Sequence, residues 1–257
     1  MTMLTPKKFP VLTAVLGSLT LLLRLGLFLL GRDEKNLLIP GHPLTLLIWA
    51  ATATAVVLVL LFLRKQDGSS HYTHNFAPSV PAAIGTFALA GGILVCVITG
   101  GIGMGLDLLR SICGILAVPA LVWIGIQRFQ GKRPVFLLHA AVCLYLMLYT
   151  VTHYQIWSSH PQIQDWFFAM CGMLCLSLFA YYQTAFDVDM GKRRMQLASG
   201  LLAAFFCIAN LAGGEDVPLY LGGAVWALTN LCSLTPVRRR RKNPITEAGK
   251  DDANASA

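Results

Sequence analysis

His42–Leu63 reads HPLTLLIWAATATAVVLVLLFL, twenty-two residues without a single Lys, Arg, Asp or Glu. As an α-helix this segment would rise about 33 Å, enough to cross the ~30 Å hydrocarbon layer of a bilayer. Its apolar residues are continuous and do not alternate, so it reads as a helix and not as a barrel strand. Pro43 sits at the first helical position, where the missing N–H costs nothing.

Seven further segments follow the same pattern. The expected spans are 9–31, 42–63, 80–100, 106–127, 134–157, 163–184, 195–213 and 217–234. Pro119 falls inside the fourth span, where it removes a helical hydrogen bond and favours a kink. The fold class expected is therefore all-α, a polytopic membrane protein of eight transmembrane helices occupying residues 1–236. The basic, then polar, stretch 237–257 reads as a disordered tail.

Composition supports this class. Of 257 residues 56% are hydrophobic, only 12% are charged and the mean hydropathy is +0.64. An ordinary soluble domain is about 25% charged. A soluble enzyme domain, a disordered regulator and a secreted disulfide scaffold are excluded. All seven cysteines fall within the spans, so they frame no disulfide scaffold.

Positive charge sets orientation. Lys7, Lys8, Arg64, Lys65, Arg128, Lys132, Arg133, Lys192, Arg193, Arg194, Arg238 to Arg241, Lys242 and Lys250 all fall on one side of the eight-span arrangement. Arg32 and Lys35 fall on the other. Both termini are expected to be cytoplasmic, in the plasma membrane of a cell whose compact loops suggest a prokaryote. The net charge of +8 is then mainly topological, and nucleic-acid binding is not expected. The run Arg238, Arg239, Arg240, Arg241 and Lys242 is suited to anionic lipid contact. The lipid bilayer is the partner expected; no protein partner can be named.

The halves share landmarks. Lys7-Lys8-Phe9-Pro10 and Lys132-Arg133-Pro134 open spans one and five, while His42-Pro43 and His160-Pro161 precede spans two and six. Gly100-Gly101 and Gly213-Gly214 close spans three and seven. A weak four-plus-four parallel tandem repeat is the corresponding expectation.

Ionisable residues inside spans are costly, and are functional candidates by default. Arg24 lies in span one. Asp107 and Arg110 open span four three residues apart, on one helical face, so they are expected to pair. Arg24 is expected to reach the same layer and share Asp107. With His153 and Asn210 these three form the candidate ligand-binding or gating set. His42, His160 and Asp165 are weaker metal-ligand candidates, without compact ligand spacing. His139 and His153 lie on nearly one face of span five, but matching haem ligands on a second helix are missing. Neither a cofactor nor a catalytic residue is expected. Ala50 to Ala55, Gly91-Gly92 and Gly222-Gly223 are expected at helix contacts.

Two functions fit: a carrier or carrier subunit for a small solute or lipid, slightly preferred, and a non-transporting sensor, assembly factor or structural partner. An intramembrane enzyme ranks below both. A cavity reaching the midplane and lined by Asn210, Asn230 or Arg24 distinguishes the carrier. A solid core with polar residues at the rim distinguishes the alternative.

Overall fold

The computed structural model describes residues 8–32, 38–39, 41–64, 66, 69–101, 103–159, 166–214 and 216–235. It is all-helical: α1 (Lys8–Leu30), α2 (Pro43–Leu63), the single turn α3 (Tyr72–Asn75), α4 (Val80–Gly100), α5 (Leu106–Gln130), α6 (Phe136–Trp157), α7 (Phe167–Asp187), α8 (Arg193–Asn210) and α9 (Val217–Cys232). Among the described residues the only β pairings are two isolated bridges. Seven helices are long and apolar enough to cross a membrane, and α9 is a shorter apolar helix of 16 residues. The helix limits differ from the sequence expectation by up to four residues. The largest shift, at α7, brings Asp187 inside the helix.

Six helices close into a ring, each packed on the next in the order α4, α5, α6, α7, α8, α9 and back to α4. The α1–α2 pair lies outside this ring against α8. α8 is therefore covered on both sides, and two-thirds of its most apolar window is buried, against 28% for α1 and α2. The outer surfaces expose Leu29 (82%), Leu46 (70%) and Ile98 (70%). Such apolar area is out of place against water and is matched by lipid. Inside the ring Leu89, Ile93, Leu121, Leu146, Met173, Leu176 and Phe179 are fully buried.

The tightest seam joins α4 to α9. A Cβ on Gly92 would lie 2.4 Å from the Pro218 carbonyl oxygen, and one on Gly222 2.6 Å from that of Ala88. Only glycine admits backbones this close, as in packed membrane helices generally. Gly223 meets only side chains, with Leu176 Cδ2 2.8 Å from its absent Cβ, whereas Gly91 faces nothing within 4 Å. α5 runs through Pro119 as one 25-residue helix.

The halves differ in packing. α7 packs along α8, but the corresponding pair α2 and α4 shares no such contact, because the connection between them carries the chain from outside the ring into it. The tandem-repeat expectation is not carried into the neighbour pattern.

That connection also closes one end of the ring, the end where most of the described basic residues collect. Tyr72, Asn75 and Phe76 are buried there. Arg128, expected in a loop as a topological charge, instead lies in α5 and is only 3% exposed. It donates to the Tyr72 hydroxyl (3.0 Å) and to Asn230 Oδ1 (2.5 Å), and stacks over Phe76. Arg193, likewise buried, donates to Asn75 Oδ1 and the Thr235 carbonyl. Asp189 accepts from the Tyr72 backbone N–H and from Arg133, both at 2.8 Å. The segment around α3 is thus a plug fastened to α5, α8, the α7–α8 turn and the chain after α9.

Candidate functional site

α9 is short by about four residues, or ~6 Å, of a full crossing. Its C-terminal end is fixed at the plug by Asn230 and by the Thr235 N–H, which donates to the Asn75 carbonyl. The missing turn therefore falls at the opposite end, where α9 begins below the rim of the ring. A pocket of about 180 Å³ opens there, with Cys96, Arg110, Ser111, Tyr145, Tyr149, His153 and Asp216 among its lining residues.

Each element delivers its side chains by simple register. Cys96 lies one turn before the end of α4 and Arg110 one turn into α5. Tyr149 and His153, four residues apart, share one face of α6 two turns and one turn from its end. Asp216 precedes α9 in the left-handed backbone region, φ 46° and ψ 34°, rare for a residue with a side chain. An Asp at this position ordinarily caps the first amides of its helix. Here the side chain makes no cap bond. Its carboxylate accepts instead from the Tyr149 hydroxyl and from Cys96 Sγ (3.4 Å), and His153 Nε2 lies 3.4 Å away. The backbone strain thus aims the carboxylate into the pocket, the kind of outlier that collects at functional sites.

Arg110 Nη1 donates to Thr152 Oγ1 at 3.2 Å, lies 3.5 Å from His153 Nδ1, and pairs with Asp107 at 3.3 Å. The pairing expected from the three-residue spacing is present. The pocket therefore holds two cationic or proton-accepting groups and one inward carboxylate, over a floor formed by Tyr145.

Other candidates lie elsewhere. Arg24 does not meet Asp107. α1 packs on α8 and not on α5, so Arg24 donates to the Ala209 carbonyl (2.9 Å) and Asn210 Oδ1 (3.3 Å), stacked over Phe168. Arg24 and Asn210 are both 4% exposed and fasten the outer pair to the last turn of α8, where carbonyls lack helical partners. Asn230 belongs to the latch on Arg128. None of the three lines the pocket. His42 caps α2, its ring nitrogen accepting from the Leu44 N–H at 3.3 Å. His160, Asp165 and Arg238 to Lys242 lie outside the described residues. No group of three metal-ligating residues assembles among the described residues. His139, expected only as a haem-spacing coincidence, is 2.6 Å from Asp187 in a buried pair near the plug.

Tyr149 and Cys96 were absent from the sequence candidates, whereas Asp216 falls with His153 in the loose outer-face gathering of histidines and carboxylates, without its part in a pocket. The signal that could have found them is Gly213-Gly214-Glu215-Asp216-Val217-Pro218, an acidic helix start before a span too short to reach the rim. No family model, curated protein or solved structure matches the chain.

Proposed function

We propose that the protein is an eight-span plasma-membrane receptor or sensor that holds a small polar ligand at its outer end without passing it through. In this reading Val217–Cys232 is the eighth span, the plug and both termini are cytoplasmic, and the cell is prokaryotic. The orientation rests on the one-sided distribution of Lys and Arg. The observation that carries the reading is the filled ring beneath the pocket. Among the described residues, buried Leu89, Ile93, Leu121, Leu146 and Met173 belong to one apolar core inside the ring, between the pocket and the latch at Arg128. Arg24, Asn210 and Asn230 bond within helix contacts, where a carrier would need them along a path.

Cys96 supplies the test. A membrane-impermeant thiol reagent applied to intact cells should modify Cys96, read by peptide mass spectrometry, and the same reagent applied to inside-out vesicles should not. Modification from both faces would overturn the receptor reading. It would favour the carrier, the second reading, which is supported by the plug: a polar latch shuts one end of the ring opposite an open pocket, as one state of an alternating-access cycle requires.

A further inference from the structure

The hydrogen bonds within the pocket leave one strong donor edge over. Tyr149, Cys96 and His153 all face the Asp216 carboxylate. The Ser111 hydroxyl faces the carbonyl oxygens of Asp107 and Gly101, at 2.9 and 3.3 Å. Every bond that Arg110 makes to described residues uses Nη1. Its Nη2 and Nε have no partner among the described residues, although the side chain is only 14% exposed. Nη2 lies beside Gly100, whose absent Cβ would stand 3.5 Å from it, so that wall of the pocket is bare.

A guanidinium presents Nε–H and one Nη–H as a planar fork that matches two oxygens of a carboxylate or phosphate. Asp107 does not cancel this. Its side chain is 46% exposed and touches Nη1, so water screens its charge and the Nη2/Nε edge stays open. The Asp216 carboxylate also faces the pocket, but Tyr149, Cys96 and His153 hold it there, so the oxyanion would bind on the opposite wall, beside Arg110 and Gly100. At about 180 Å³ the pocket has room for a small oxyanion with several hydrating waters.

We propose that the pocket is an oxyanion site, in which the Nη2/Nε edge of Arg110 binds one carboxylate or phosphate group presented from the outer side. The proposal rests on the reading of this pocket as the ligand site. The oxyanion belongs either to a free solute or to a lipid headgroup reaching over the rim of α4 and α5.

The test uses the full-length protein in uncharged detergent and in nanodiscs. Phenylglyoxal modifies accessible guanidinium groups, and mass spectrometry of the peptide around residue 110 reads the extent. Inorganic phosphate or succinate in detergent should slow modification of Arg110 in a saturable manner. Calorimetric binding of the same anion should weaken at least about tenfold in Arg110→Lys, which keeps the charge but loses the fork. Protection in phosphatidylglycerol and phosphatidylcholine nanodiscs, both of which carry a headgroup phosphate, without protection by the free anions in detergent would support the site and assign it to headgroup phosphate. Unchanged modification of Arg110 under all of these conditions would overturn the proposal, and this reading on the wild-type chain stands even if the variant fails to fold. Cys96 labelling is read with no anion added, because Cys96 lines the same pocket. If Cys96 is reached from outside while Arg110 is never protected, the oxyanion assignment falls and the outer-pocket reading remains.

Discussion

Replacing Gly222 by alanine tests whether the α4–α9 seam is a backbone-on-backbone contact. The added Cβ would stand 2.6 Å from the Ala88 carbonyl oxygen and 3.0 Å from Leu89 Cα. Ordinary contact begins near 3.4 Å, so the two backbones must part by about 0.8 Å. Both atoms are main chain, and no rotamer change relieves the overlap. Overpacking of this kind costs about 1–3 kcal/mol. Gly91→Ala is the matched control, because its Cβ meets nothing within 4 Å. That change keeps only the intrinsic helical gain of alanine, up to about 1 kcal/mol. The two substitutions are chemically identical and share the helical gain of alanine, so they should separate by the overpacking cost alone, roughly 1–3 kcal/mol. Thermal unfolding in detergent, followed by exposure of fully buried Cys207, should place Gly222→Ala below wild type and Gly91→Ala at or above it. Equal midpoints for the two variants would refute the seam.

At the plug, Asn230→Leu removes the acceptor of the buried Arg128 Nη2 and should cost about 1.5–3 kcal/mol, Tyr72→Phe about 1 kcal/mol, both read as thermal midpoints. Asp189 is held below the ordinary carboxylate range, first by the Tyr72 N–H and then by the Arg133 and His71 charges. A lowered value means that its hold on the plug is complete above about pH 4 and lost as pH falls through the folded value. Hydrogen exchange at the Tyr72 amide should therefore quicken, relative to its intrinsic rate, only in that acid window, and Asp189→Asn should quicken it at neutral pH. Arg24→Met keeps the bulk but strands the Ala209 carbonyl, costing about 1.5–3 kcal/mol. Cross-linking between α1 and α8 should fall while labelling of Cys96 stays unchanged; loss of that labelling would mean that Arg24 acts on the pocket.

The apolar runs were legible because a hydrocarbon layer demands length and continuity, and both can be counted along a chain. The Asp107–Arg110 pair was legible because its spacing is local. The order of the ring was not. Most of these helices are apolar nearly all round, so no stripe says which face meets which neighbour. The partners of Arg24 and Arg128 lie 186 and 102 residues away, and only the packing of α1 on α8 and of α5 near α9 selects them. The same ignorance hid the buried state of Arg193: a basic residue at a span end reads as topology whether it faces water or a plug. Glycines were legible as a class but not one by one, since Gly91 and Gly92 differ only in the face they occupy.

The two ends of the ring are linked through the length of α9. A helix of 16 residues, about 24 Å, cannot reach both rims, and the latch at Asn230 together with the Thr235–Asn75 bond decides which end goes short. The pocket thus exists because the plug holds α9 at the other end. Four apolar residues inserted between Pro218 and Leu219, which keep Pro218 in the first turn, should extend α9 by about one turn, ~6 Å, and lift Asp216 away from Tyr149 and Cys96. The added turn should fill the space in front of Arg110. Thiol labelling of Cys96 from outside should then disappear, while exchange at the Tyr72 amide stays slow because the C-terminal anchor is untouched. If the insertion instead loosened the plug and left the pocket open, α9 would be anchored at Asp216, and the outer carboxylate, not the latch, would set its position.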